Sequence, residues 1–218
     1  MDLFSTLRQH AKIQPLAVAS ISSRRTVTYR KLWSRIERAT ARMKDEWQVA
    51  SGDVVVYWGR GHQDALMFYL AAARCGARLL ALEHDALQQR GDEILRCLPA
   101  SLLLHDDEIV FTQAPAVPRI VNLSALIATR CHHTPQIVED DRQNSLLTVK
   151  DIVTAGADAD TPLRYHEQSL QALSSTAQSF VDDDNAKEFA IDAALFDADI
   201  LAPHVLPVLM TGGTLRFR

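Results

Sequence analysis

The chain has 218 residues, 47% hydrophobic and 23% charged, with a formal net charge of −4. That is enough apolar material for one sizeable core or two small lobes, and too much for a disordered chain. The mildly acidic balance argues against nucleic-acid binding, which goes with a basic excess.

Arg24 to Tyr29 reads as a short strand and Arg30 to Trp47 as a helix, with Leu32, Ile36, Ala39, Met43 and Trp47 on one face. Arg35, Arg38, Arg42 and Lys44 lie largely off that face. A solvated helix side explains them more simply than a site for an anionic partner. Ser51-Gly52-Asp53 is a turn, and Val54 to Trp58 is a β-branched and aromatic run suited to a buried strand. Gln63 to Cys75 suits a buried helix closed by Gly76, and Leu79 to Leu82 a second strand. This spacing makes a βαβ unit with a right-handed crossover.

Ala86 to Cys97 then suits a helix behind Asp85 as N-cap, and Ser101 to Leu104 a strand. Ile109 to Phe111 and Arg119 to Leu123 are short strand candidates, broken by Pro115 and Pro118. Thr134 to Asn144 is polar and irregular. It is read as a linker (134–144) between a first α/β lobe (1–133) and a second, partial α/β lobe (145–218). In the second lobe, Leu146 to Val153 reads as a strand, His166 to Phe180 as a helix and Glu188 to Ile191 as a strand. Asp199 to Met210 reads as a helix bent or split by Pro203 and Pro207, ended by Gly212-Gly213 before a last strand, Thr214 to Phe217. The fold class is α/β, in layered βαβ lobes with mostly parallel sheets.

Cys75, Cys97 and Cys131 are odd in number and widely spaced, as in a reduced cytoplasmic protein, and no pair has zinc-ligand spacing. The start, Met1-Asp2-Leu3-Phe4-Ser5, does not resemble a secretory signal. The longest apolar run, Ala65 to Ala73, falls short of the about 20 residues a membrane helix needs. A cytoplasmic location with no membrane span is expected.

Some local patterns invite sharper readings. Gly59-Arg60-Gly61-His62-Gln63-Asp64 nearly matches the dinucleotide fingerprint, but Asp64 replaces its third glycine, and a plain strand-to-helix turn is the simpler reading. Cys131-His132-His133 reads as a solvated loop, because adjacent histidines do not readily face one metal. His105-Asp106-Asp107-Glu108 and Asp182-Asp183-Asp184-Asn185 read as solvent-facing acidic turns. Ser5, Ser51 and Ser145 sit in no nucleophile-elbow pattern.

Four segments in order resemble the core motifs of the adenylate-forming superfamily, the AMP-dependent synthetases and ligases that include acyl-CoA synthetases and peptide-synthetase adenylation domains. Val27-Thr28-Tyr29-Arg30-Lys31-Leu32 resembles the first motif, followed by Gly52-Asp53-Val54-Val55. Ala71-Ala72-Ala73-Arg74-Cys75-Gly76-Ala77 resembles the second, with Ala81 where the family has proline and Glu83 as the nearest acid. Tyr165-His166-Glu167-Gln168-Ser169-Leu170 resembles the helix start that follows the third motif. Phe196-Asp197-Ala198-Asp199, with Thr211-Gly212-Gly213-Thr214 beyond it, resembles the fourth. In amino-acid-activating members the aspartate at the place of Asp197 pairs with the substrate ammonium. Asp197 equally suits the N-cap of the next helix.

The third motif, the loop that grips ATP phosphates, departs from the family. Thr154, Gly156 and Pro162 match it, but Leu163 stands where the lysine belongs, and Asp158 and Asp160 add negative charge. Two carboxylates facing a polyphosphate repel it. Arg164 is a cation beside the lysine's place, with a different geometry. The resemblance also puts the adenine pocket, the magnesium glutamate, the ribose aspartate and the catalytic lysine beyond Arg218. It implies a truncated, degenerate adenylation-like protein with no catalytic residue of its own. No cofactor is expected, with ATP and magnesium bound only if the loop retains binding. Lobes that normally pack on further domains would bare apolar surface, so a homodimer or a dedicated partner, a synthetase or carrier protein, is expected. The alternatives are the front part of a split ligase completed by another chain, and a small dinucleotide-binding module.

Overall fold

A computed structural model describes residues 2–82, 94–95, 99–109, 111, 115–124, 145–149, 165–181, 187–191 and 195–218. The elements in order are α1 (Leu3–Ile13), β1 (Val18–Ile21), β2 (Thr26–Thr28), α2 (Tyr29–Asp45), β3 (Val54–Trp58), α3 (Gln63–Arg74), β4 (Arg78–Leu82), β5 (Ala100–His105), β6 (Ile120–Asn122), β7 (Ser145–Val149), β8 (Tyr165–Ser169), α4 (Leu170–Gln178), β9 (Glu188–Ile191), α5 (Ala198–Ile200), a π-helical turn (Leu201–Val205), α6 (Leu206–Thr211) and β10 (Thr214–Phe217). They build two sheets, a four-stranded one in the order β2-β1-β10-β9 and a six-stranded one in the order β6-β5-β3-β4-β7-β8.

Strand β3 shows why the larger sheet is the centre. All its residues are buried, as expected of a parallel strand covered on both faces. Val55 and Tyr57 point into the main core with α3, while Val54, Val56 and Trp58 join Leu80, Leu82 and Leu103 on the other face. β3 pairs in parallel with both β4 and β5, and α3, buried all round, makes the crossover to β4. Cys75 caps α3 and Gly76 takes the left-handed conformation behind it, at φ 75, as its place predicts. A Cβ at Gly76 would lie 2.6 Å from the Ser51 hydroxyl, so glycine is also required for the close approach of that turn.

Both sheets take strands from either side of residues 134–144. β1 pairs with β10 in the smaller sheet, and β4 pairs with β7 in the larger. The parts before and after that segment are therefore interleaved in the sheets. The segment itself, the Cys131-His132-His133 run, the Asp182–Asn185 turn and most of the Ala86–Cys97 helix expectation lie outside the described residues.

Two expectations need correction, and one helix was not expected. Ile109 is not the start of a strand: its amide closes a turn onto the Asp106 carbonyl at 3.1 Å, and its side chain is buried. His166 to Ser169 is not helical but forms β8, antiparallel to β7. Helix α4 begins only after Ser169, whose hydroxyl accepts from the Ala172 amide at 3.1 Å. The early acid Asp2 caps an unanticipated helix, α1, by accepting from the Ser5 amide at 2.8 Å. The expected split is present at Pro203, within the π-helical turn between α5 and α6, while Pro207 sits in the first turn of α6. Among the described residues no helix is long and apolar enough to cross a membrane. The exposed large apolar side chains among them are Ile13, Leu16, Ile120 and Phe180.

Candidate functional site

In open parallel sheets, ligands are taken up beyond the carboxyl ends of the strands. Here that edge carries the Gly59–His62 turn after β3 and the His105–Glu108 turn after β5. Their register places Trp58 opposite His105, so the next residues, Gly59 and Asp106, meet. Asp106 is not the solvent-facing acid its sequence suggests, being 6% exposed. Its carboxylate accepts from the Tyr57 hydroxyl at 3.0 Å to each oxygen, from the Arg60 amide at 2.9 Å and from His62 Nε2 at 2.9 Å. A side chain on Gly59 would land on that carboxylate and on the Tyr57 hydroxyl.

Burial pushes the Asp106 carboxyl up, but the hydrogen bonds from His62, the Arg60 amide and the Tyr57 hydroxyl outweigh it and hold the group below its usual range. The Tyr57 phenol is pushed well up, by burial first and then by the Asp106 charge. Its oxygen also accepts from the Gly61 amide at 2.9 Å. Both nitrogens of His62 are committed: Nδ1 accepts from the Asp64 amide at 3.1 Å and caps α3, while Nε2 donates to Asp106. The Arg60 amide that could meet a pyrophosphate is therefore already bound to the protein's own anion. Near-match to a dinucleotide fingerprint notwithstanding, this turn is closed by Asp106.

The segment resembling the fourth motif packs against the same group. Phe196, 6% exposed, meets the ring of Tyr57 edge-on at 5.6 Å and that of Tyr69 at 5.8 Å. Leu195 backs Gly61, whose φ is +72. Asp197 itself is exposed. Its Oδ1 accepts from the Asp199 amide at 3.0 Å, and its carbonyl accepts from the amides of Ile200 and Leu201 at 3.0 and 2.7 Å. It thus caps α5. Thr154, Gly156, Pro162 and Arg164 lie outside the described residues.

Next to the turn, the start of α3 is tied to the small sheet. Gln63 donates to the Ser20 hydroxyl at 2.6 Å and accepts from Arg25 Nε at 3.2 Å, and Arg25 is ion-paired with Asp64. The Tyr29 hydroxyl donates to the Gly213 carbonyl at 2.9 Å, so two of the motif-like segments, the first and the one after the fourth, are in direct contact.

The sequence profile of the family described as "AMP-binding enzyme" matches residues 7–187. The chain belongs to that family. Over 223 aligned residues it is 24% identical to a D-alanine--D-alanyl carrier protein ligase of Bacillus licheniformis, covering 99% of this chain and 42% of the ligase. Its fold is similar to that of the O-succinylbenzoate coenzyme A synthetase of Bacillus subtilis in complex with AMP, with a TM-score of 0.79, 16% identity, and coverage of 98% of this chain and 55% of that one. It is also similar to a fatty acyl CoA synthetase of Mycobacterium tuberculosis, with a TM-score of 0.81, 15% identity, and coverage of 100% and 44%. The chain thus spans about half the length of the AMP-binding enzymes it matches, and its fold is that of their N-terminal part.

The network around Asp106 was not singled out from the sequence. The signal available was the pair of parallel strands ending at Trp58 and His105, each followed by a residue suited to a tight approach, glycine on one and aspartate on the other. Reading it requires the register between strands 49 residues apart.

Proposed function

We propose that this AMP-binding family chain acts by binding rather than by chemistry, as an adenylation-like partner in acyl or aminoacyl activation or carrier-protein pathways, in the cytoplasm. The observation that carries this reading is the sequence of the Thr154–Arg164 loop. It has Leu163 where the resemblance calls for the phosphate-gripping lysine, and it adds Asp158 and Asp160 to the segment that in the family holds polyphosphate. Repulsion between unit charges in contact is about 1 kcal/mol in water and larger when partly buried, so the loop opposes ATP. Asp197 adds support, since its carboxylate is engaged in capping α5. A homodimer, or a complex with a synthetase or carrier protein, is the state in which such a chain would work. ATP–pyrophosphate exchange by the purified protein, across amino, aryl and fatty acids, should stay at background. Clear exchange with any acid would overturn the reading.

A second reading is favoured by one observation, the coverage of 42% of the carrier-protein ligase. In it the chain is the front part of a ligase completed by another polypeptide, and Asp197 pairs with a substrate ammonium. Adding the missing C-terminal half of a relative in trans would then restore exchange, and Asp197→Asn would abolish the restored activity while leaving the fold intact.

A further inference from the structure

One side of α2 is lined by cations. Lys31, Arg35, Arg38 and Arg42 recur at steps of four, three and four, so at 3.6 residues per turn they fall within about 60° of one another, along a stripe about 16 Å long. Arg24 and Arg25, on the turn between β1 and β2, extend its charge beside Arg35. Burial lowers the Arg25 guanidinium below its usual range, and the charges of Arg35 and Arg24 lower it further. Burial and then the charge of Arg38 do the same to Arg35. Cations are thus gathered closely enough to oppose one another on a chain whose net charge is −4.

Internal neutralisation is partial. Arg25 is paired with Asp64, and Arg42 with Glu46 at 3.1 Å. Arg38 Nε donates only to the Ser34 carbonyl at 3.2 Å. Among the described residues no carboxylate is ion-paired with Arg24, Arg35 or Arg38. Arg24, Lys31 and Arg38 are exposed, Arg25 and Arg35 are half-buried, and the Arg42 side chain is only 13% exposed and held by Glu46. Guanidinium groups pair with carboxylates through two parallel hydrogen bonds, which ammonium groups do not.

The shape and setting select the partner. A straight stripe at helical spacing complements carboxylates at the same spacing on another helix. A nucleic acid calls for a strongly basic domain. A membrane surface calls for apolar residues beside the basic ones, and none of the exposed large apolar side chains among the described residues lies on α2. We propose that the Lys31-Arg35-Arg38 stripe, with Arg24 and Arg25 at one end, is the docking face for an acidic α-helix of a partner protein. This goes beyond the function proposed above by giving the partner's chemistry, and it holds whether or not the chain adenylates.

The test uses the full chain and a labelled helical peptide carrying glutamates at the 4-3 spacing of Lys31, Arg35 and Arg38, with alanine and glutamine elsewhere. Anisotropy should show binding at about 20 mM salt that weakens at least about tenfold at about 300 mM. A peptide of the same composition with its glutamates dispersed round the helix should bind several-fold more weakly. Arg24→Glu with Arg38→Glu, both at exposed positions, should lower affinity at least about tenfold, because like charges now face each other. If that double variant fails to fold, Arg24→Gln with Arg38→Gln should show a smaller loss in the same direction. Absence of peptide binding, equal binding of the dispersed peptide, or indifference to the substitutions would overturn the proposal. So would duplex DNA or phosphatidylserine vesicles binding more tightly than the peptide through the same arginines.

Discussion

The Tyr29 hydroxyl donates to the Gly213 carbonyl across 184 residues of chain, at 2.9 Å, from a side chain that is 1% exposed. The carbonyls of Val208 and Leu209 lie 3.5 Å from the same oxygen. The start of α2 is thereby fixed to the end of α6 and the entry to β10. Tyr29→Phe keeps the ring and removes the donor, leaving a buried acceptor short of its partner. A loss of about 1 kcal/mol is expected, seen as a melting temperature lower by about 2–4 °C for a chain of this size, with an unchanged far-UV spectrum.

Asp106→Asn removes the charge that Tyr57, Arg60 and His62 share, and is expected to cost about 1–3 kcal/mol at neutral pH. Because the folded carboxyl lies below its usual range, its contribution is complete above the unfolded value of about 3.9 and fades as pH falls through the lower folded value. Urea unfolding of both proteins at pH 5 and pH 3 checks this. The gap between them should be wide at the higher pH and narrower at the lower; an unchanged gap would assign the effect to shape alone.

Gly59→Ala places a methyl against the Asp106 carboxylate and the Tyr57 hydroxyl. Overpacking of this kind costs about 1–3 kcal/mol. Since the clash is with a specific side chain, Gly59→Ala combined with Asp106→Ala should destabilise by less than the sum of the two single changes, by at least about 0.5 kcal/mol. Strict additivity in chemical denaturation would place the obstruction elsewhere.

Cys75 is 3% exposed, and burial pushes its thiol up to about 12 despite the nearby charges of Lys44 and Arg74. Thiolate is the reactive species, so iodoacetamide at about pH 8 should leave Cys75 unmodified in the native protein and label it in urea. Peptide mapping by mass spectrometry reads that residue separately from Cys97 and Cys131.

The part of the fold most readable in the sequence is the one whose signals are local. β3, α3 and β4 follow from a β-branched run, a long apolar stretch and a terminal glycine, each within a few residues of the element it marks. α1 carries a local signal too, Asp2 ahead of Leu3, Phe4 and Leu7, which face the core. β1 has only four residues, and although β2 follows it in a hairpin, its other neighbour, β10, is distant in sequence, so little near it announces a strand. β8 reads as a helix start because His166, Glu167 and Gln168 are polar and helix-tolerant; pairing with β7 overrides that preference. The same distinction divides the site. Asp197 as a cap is written in the residues after it, whereas the burial of Asp106 depends on Tyr57 and Gly59, on a strand and the turn after it far upstream.

The pairing of β1 with β10 has a consequence for biosynthesis. The Thr214 hydroxyl meets the Val18 carbonyl 196 residues upstream, so β1, with β2 on one side, must wait for that length of chain before its second neighbour exists. At about 5–20 residues per second of translation the delay is about 10–40 s. Throughout it, β1 holds an open edge that other strands can join, and protection of that edge on the ribosome becomes a requirement of the topology itself.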